Sequence, residues 1–287
     1  MNTVRTRGSV GWALLDVSRP RFWLYLAGPV LVGAAWGAGT LEDLWSLPII
    51  VLFAYALFPA NVLLYGVNDY FDADIDRLNP KKFARERRWQ SHPVIVGAVL
   101  AASALGVVVF AVTPLVSWPY LIGFFALAIS YSAPPFRFKT RPGLDSIANG
   151  LYILPGGAAY ASLTGQHVPV LVLLAAWLWT MGMHTFSAIP DIKPDRRSGI
   201  RTTATVLGER RTIGYCVLCW TGATLAFGLV DLRAGVLLSV YPVFLGWIRV
   251  RGIPIRRAYW WFPWLNGVVG AVFTIAGLWY LVNGVIL

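Results

Sequence analysis

Cysteine is nearly absent: Cys216 and Cys219 are the only two in 287 residues, and both sit inside an apolar run. That excludes a disulfide framework and a cysteine-based zinc site, and leaves two small buried hydrophobes. Charge is scarce as well. Asp, Glu, Lys and Arg make up 13% of the chain, against roughly 25% in a soluble domain. Acids are the rarer sign, 13 against 24 Lys and Arg, for a net charge of +11. Residues 1–21 lack the apolar core of a cleavable signal peptide, because Arg19, Pro20 and Arg21 interrupt it and no A-x-A site follows. Apolar residues are abundant, at 57% with a mean hydropathy of +0.63. A soluble chain of this length could not bury that much apolar surface. The composition therefore predicts a single polytopic membrane domain over 1–287, in the cell membrane and in contact with its lipid.

A spanning helix needs about 20 mostly apolar residues. Nine runs qualify: 22–40, 47–67, 93–113, 116–133, 145–163, 168–188, 212–230, 234–248 and 259–284. The eighth is short and reads as tilted or partly re-entrant. The segments 1–21, 68–92, 134–144, 189–211 and 249–258 hold 23 of the 24 basic residues, Arg233 being the exception. Nine spans put all five segments on one face, and Lys and Arg mark the cytoplasmic face. The expected fold is all-α: nine transmembrane helices around a central cavity, N-terminus cytoplasmic and C-terminus outside. Basic residues spread over five membrane-edge segments do not form a nucleic-acid surface, and the Arg85–Arg88 run fits anionic lipid headgroups.

Topology explains the basic residues but not the acids beside them. Asn68, Asp72 and Asp76 are spaced by four, so at ~100° per residue they share one helical face. Asp191 and Asp195 form a second pair at the same spacing. Each cluster directly follows an apolar run, at the cytoplasmic ends of the second and sixth. Four carboxylates around a small space need a cation. An oxygen-only set without His or Cys suits Mg²⁺, which shares its shell with substrate phosphates. Arg137, Lys139, Lys193, Arg196 and Arg201 are the basic residues nearest in sequence, and metal with Arg and Lys is a combination that binds diphosphate. An ion-coupled transporter is the reading of another class, although its acids would lie nearer the bilayer midplane.

With these motifs the chain resembles the UbiA superfamily of intramembrane prenyltransferases over essentially its whole length. Asn68-x₃-Asp72-x₃-Asp76 is similar to the first aspartate motif of that family. Asp191-x₃-Asp195, followed by Gly199-Ile-Arg-Thr-Thr-Ala, is similar to the second. Tyr131-Ser-Ala-Pro-Pro135-Phe-Arg137-Phe-Lys139 resembles the loop after the fourth span, where a Tyr and a Lys serve the diphosphate. That loop, with Gly143-Leu-Asp-Ser146 and Asn149-Gly-Leu-Tyr152, looks most like the lycopene elongase branch, which extends a C40 carotene with C5 units.

The resemblance implies Mg²⁺ held by Asp72, Asp76, Asp191 and Asp195. It implies an allylic diphosphate, dimethylallyl diphosphate, bound with Asn68, Tyr131, Arg137, Lys139, Lys193 and Arg201. The acceptor would be lycopene; a quinone, phenol or chlorin-type acceptor is the alternative. Aromatic faces would shield the allylic cation, with Tyr65, Tyr131, Tyr152, Trp177, Trp179 and Phe186 as candidates. Asp145 reads as a late proton acceptor or a helix cap, and His184 as a proton-transfer group or an ordinary helix residue. The Gly156–Ser162 stretch reads as close helix packing or as room for a polyene. Spans three to five carry no charged residue between Leu100 and Phe136, and their polar groups are mainly Ser103, Thr113, Ser117, Ser130 and Ser162. So apolar a wall predicts an apolar acceptor.

Overall fold

The computed structural model describes residues 10–76 and 93–284, with the side chains of Val10 and of residues 72–76 outside the description. The helices, in chain order, are α1 Val10–Ser18, α2 Trp23–Gly37, α3 Leu47–Leu57, α4 Pro59–Asp76 and α5 Pro93–Val112. Next come α6 Trp118–Ser130, α7 Leu144–Ile147, α8 Leu154–Thr164, α9 Val170–Ser187 and α10 Ile192–Arg197. The last are α11 Thr203–Val230, α12 Leu232–Leu238, α13 Val240–Val250, α14 Ile255–Ala258 and α15 Phe262–Asn283. The described residues contain no β-strand.

Local chemistry accounts for many helix ends. Proline opens α3, α6, α8 and α15 within the first turn, where its missing N–H costs nothing. Gly165 and Gly284 close α8 and α15 at φ 68° and 66°, the left-handed conformation that glycine adopts freely. Thr202 and Thr205 form a reciprocal capping box at the start of α11. Asp231 accepts from the N–H groups of Arg233 and Ala234 at the start of α12. Between α2 and α3, the Asp43 carboxylate accepts 2.8 Å bonds from the N–H groups of Gly39 and Thr40. These hold it below its usual carboxylate range.

Each of the nine apolar runs contains helix. Six segments are long and apolar enough to cross a membrane: Leu47–Phe71, Pro93–Val112, Val170–Arg197, Thr203–Val230, Leu232–Val250 and Ile255–Asn283. The chain is thus a multi-pass, all-helical membrane protein over its described residues. The short eighth run belongs to a span of 19 residues, α12 and α13 in series. The fifth run differs from expectation. Residues 145–163 are not one regular helix but α7, a 3₁₀ stretch Ala148–Tyr152, and the 11-residue α8. A Cβ on Gly150 would fall 2.0 Å from the Trp177 ring, so the chain tightens here to pass beneath α9.

Two cores form. One joins α2 through α6 with α8, centred on Leu26, Leu52, Leu63 and Phe124. The other joins α9, α11, α13 and α15, centred on Phe186, Trp220, Tyr241 and Phe262. Tyr152 packs against both. Close contacts of α2 with α15 and of α9 with the 148–152 stretch join the halves, leaving a cavity between them. Cys216 and Cys219 are buried, as expected of apolar packing.

Helices α2 and α8 approach closely. A Cβ at Gly33 would lie 2.0 Å from the Gly156 carbonyl oxygen, and one at Gly156 would lie 2.5 Å from that of Pro29. Gly33 and Gly37 make a small-xxx-small stripe against α8. The glycines 156 and 157 are therefore filled contacts, against Pro29 and the Tyr120 ring, and offer no room for a polyene. Backbone cannot move aside as a side-chain tip can. Gly33→Ala is expected to destabilise the protein by about 1–3 kcal/mol, read as a lowered melting temperature in detergent.

Candidate active site

The cavity between the two cores has a volume of about 200 Å³. Its wall comes from the α1–α2 connection (Arg19, Phe22), α2 (Tyr25), α4 (Leu64, Tyr65, Asn68) and the end of α6 (Tyr131). The 3₁₀ stretch adds Asn149 and Tyr152, α9 adds Met183, His184 and Ser187, and the entry to α15 adds Tyr259 and Phe262. The wall carries seven Phe and Tyr rings, and Asn68, the first residue of the first acid motif, marks a polar rim.

That rim is tied together across long sequence distances. Lys139 Nζ donates to Asn68 Oδ1 at 3.0 Å, and Arg137 Nη2 donates to the Phe71 carbonyl at 2.9 Å. Two of the three basic residues of the loop after α6 are thus anchored on the stretch of α4 that carries the first acid motif. The Lys139 N–H also donates to the Tyr131 carbonyl at 3.0 Å, folding the loop back on the helix it leaves. Arg19 enters from the other side. Its guanidinium pairs with the buried Asp69 at 2.8 Å and lies 4.5 Å from the Tyr65 ring centroid. Arg19 and Arg137 are the two described non-glycine residues with positive φ, 50° and 44°. Such conformations cost ~1–3 kcal/mol each and persist where surrounding contacts hold them. Here those contacts are Asp69 and the Phe71 carbonyl.

Asn68 and Tyr131, both expected from the sequence, line the cavity, and Lys139 and Arg137 are bonded to its rim. Asp191 ends the 3₁₀ turn Ile189–Asp191 and Asp195 lies in α10; the first is exposed and the second half-buried. Lys193 and Arg201 are exposed nearby in the chain. Each acid motif begins four residues past a cavity-lining residue, Asp72 after Asn68 and Asp191 after Ser187. Among the described residues no three acidic, His or Cys side chains cluster, and the side chains of Asp72 and Asp76 lie outside the description. The Arg85–Arg88 run also lies outside the described residues.

Several expectations need correction. Arg196 does not point to the acids: its Nε and Nη2 both donate to the Thr205 carbonyl, joining α10 to α11. Asp145 is buried away from the cavity wall. One carboxylate oxygen accepts from the Thr203 N–H at 2.9 Å and the other from the Thr203 hydroxyl. It ties α7 to the start of α11. Tyr65, Tyr131 and Tyr152 line the cavity, but Trp177, Trp179 and Phe186 do not. The Trp177 indole donates to the Ile147 carbonyl at 2.8 Å. The Trp179 ring meets Tyr241 edge-on at 6.0 Å, and Phe186 stacks behind the wall on Phe262 at 4.7 Å. Sequence reasoning missed Arg19, Phe22, Tyr25, Tyr259 and Phe262. The Arg19-Pro-Arg interruption was visible, but its reach to Asp69, 50 residues on, has no local signal.

The polar groups of spans three to five are largely satisfied within the bundle. Ser117 and Ser162 bond each other at 2.8 Å, while Ser103 and Thr113 donate to the carbonyls of Val99 and Val109.

A profile of the UbiA prenyltransferase family matches residues 26–267. A lycopene elongase/hydratase from Haloferax volcanii is 61% identical over 271 residues, covering 94% of this chain and 90% of that protein. A lycopene elongase/hydratase from Halobacterium salinarum is 54% identical over 271 residues, covering 94% of this chain and 98% of that protein. Among solved structures, a UbiA homolog from Archaeoglobus fulgidus bound to DMAPP and Mg²⁺ superposes with a TM-score of 0.73. It is 22% identical and covers 94% of this chain and 99% of that one, a likeness of fold.

Proposed function

This chain belongs to the UbiA prenyltransferase family, and from that premise we propose that it transfers a dimethylallyl group from its diphosphate to the end of lycopene. The enzyme class follows from the family and from the relatives that share more than half of its residues; the transporter reading falls with it. The observation that carries the donor site is the polar rim, where Lys139 on Asn68 and Arg137 on Phe71 bring the loop after α6 to the first acid motif. Asp72 follows Asn68, and Asp191 follows Ser187, by four residues.

The donor set fits Mg²⁺: the rim offers oxygen ligands and Lys or Arg, and neither motif contains His or Cys. Asp72, Asp76, Asp191 and Asp195 would hold the metal. When bound, it offsets diphosphate charge so that the allylic C–O bond can break. Lys139 and Arg137 hold the phosphate oxygens from the loop side, and Asn68 and the Tyr131 hydroxyl orient them. Lys193 and Arg201 supply further positive charge outside the rim. Below the rim, Tyr65, Tyr152, Tyr25 and Phe262 surround the dimethylallyl carbons with ring faces and keep water away. On this reading the cavity takes the five-carbon donor and one end of the polyene, and the remainder of the polyene lies in the bilayer.

The same reading takes residues 1–287 as one cell-membrane domain of nine spans, N-terminus cytoplasmic, with both acid motifs on the cytoplasmic face. Its support is the one-sided placement of 23 of 24 basic residues. The purified chain in detergent, given dimethylallyl diphosphate, lycopene and Mg²⁺, is expected to release pyrophosphate and form C45 and C50 products with no ion gradient present. Pyrophosphate and product assays test this, and absence of both would refute it.

A further inference from the structure

The titratable groups on the cavity wall are Arg19, Tyr25, Tyr65, Tyr131, Tyr152, His184 and Tyr259. Of these types, a neutral histidine is the one that carries a ring nitrogen lone pair able to take a proton. His184 sits on α9 one turn inward from Ser187, whose hydroxyl donates to the His184 carbonyl at 2.6 Å. It therefore lies inward of the charged rim, beside the carbon skeleton of a bound donor. Its Nε2 is 3.1 Å from the Tyr131 hydroxyl, and the two rings meet edge-on at 5.9 Å. The partners come from α9 and the end of α6, 53 residues apart, and both face the cavity. The rival acid, Asp145, is spent on Thr203 behind the wall.

We propose that His184, through the Tyr131 hydroxyl, accepts the proton of the water that quenches the product cation. This rests on the prenyl-transfer reading above. In the first step the dimethylallyl C–O bond breaks and the electron pair leaves with the diphosphate. The π pair of the terminal acceptor alkene forms the new C–C bond, leaving a tertiary cation on the acceptor. A lone pair of water then forms a C–O bond to that carbon. The proton it must lose passes to the Tyr131 oxygen as the hydroxyl proton of Tyr131 passes to His184 Nε2. The imidazolium gives its proton to the departing pyrophosphate, which restores both residues. The product is a tertiary alcohol, one water heavier than the unsaturated product of simple proton loss.

The test measures hydrated product per pyrophosphate released, using the full chain in detergent with lycopene, dimethylallyl diphosphate, Mg²⁺ and ¹⁸O-water. His184→Gln keeps an amide able to bond Tyr131 but cannot accept the proton. It is expected to lower hydrated product per pyrophosphate at least ten-fold, with unsaturated C45 and C50 products in its place. His184→Ala should show the same shift, and added imidazole should restore the hydrated fraction. A structural role would lower pyrophosphate and product together and would not respond to imidazole. An unchanged ratio in His184→Gln, or a wild-type enzyme that elongates without incorporating ¹⁸O, overturns the proposal. If the wild type forms no elongated product at all, the prenyl-transfer reading itself fails.

Discussion

Asp191→Ala and Asp195→Ala are expected to lose roughly 10²-fold or more of prenyl-transfer activity, on the scale of removing one preorganised electrostatic group. Asp72→Ala and Asp76→Ala should do the same, and EDTA should abolish turnover until Mg²⁺ is restored. The reason lies in charge. A diphosphate leaves only if the negative charge it gains is offset where it develops, and Lys139 and Arg137 cannot offset it alone. Both are already drawn to α4, by Asn68 and the Phe71 carbonyl. Loss of one carboxylate also leaves the remaining acids with less metal to neutralise them, so diphosphate affinity falls with the rate. Asp191 is exposed and Asp195 half-buried, so neither belongs to the apolar packing of the bundle. Pyrophosphate release and thermal denaturation, measured on the same preparations, separate a chemical loss from an unfolded protein. Full activity in EDTA, or in Asp191→Ala, would be incompatible with the proposed site.

The second large effect concerns the acceptor. Lycopene with dimethylallyl diphosphate is expected to give product, whereas 4-hydroxybenzoate and homogentisate should give none. An aromatic acid would have to place a carboxylate and a hydroxyl in the wall, and a site selective for it must present matching donors. The hydroxyls of Ser103, Thr113, Ser117 and Ser162 are committed to carbonyls or to each other. The polar groups that do line the cavity are bonded within the protein: Asn68 accepts from Lys139, Asn149 donates to the Asp145 carbonyl, Ser187 donates to the His184 carbonyl, and Tyr131 pairs with His184. A polyene end asks only for shape and apolar surface, which the tyrosines and Phe262 provide. Product masses after parallel incubations decide the matter. An aromatic product with lycopene untouched would overturn the acceptor while leaving the family standing.

The apolar runs were legible because entry into a bilayer is a local property: about 20 apolar residues suffice wherever they occur. The helix that carries the first acid motif was legible for the same reason: Asn68, Asp72 and Asp76 all fall within α4, where a step of four residues keeps them on one face. The loop after α6 could be read as a diphosphate loop from its wording, and its Lys139 and Arg137 do reach the rim. Where the reading failed, a second helix had decided the outcome. Trp177 and Phe186 are as aromatic as Tyr152, but α9 turns them onto Ile147 and Phe262 and away from the cavity. Arg196 looked like a phosphate ligand until the start of α11 supplied a carbonyl. The 145–163 run looked like one span until Trp177 packed on Gly150.

The sequence by itself determined the membrane class, the placement of the apolar helices and the residue types at the rim, because each depends on neighbours within a few turns. Only the tertiary structure decided which side chains share the cavity. Arg19 meets Asp69, Tyr131 meets His184 and Phe22 meets Tyr65 across separate segments of the chain in each case. Such pairings follow from the approach of the α1–α2 connection to α4 and of the end of α6 to α9. That approach is set by shape complementarity between helix faces, which no periodicity along one chain segment encodes.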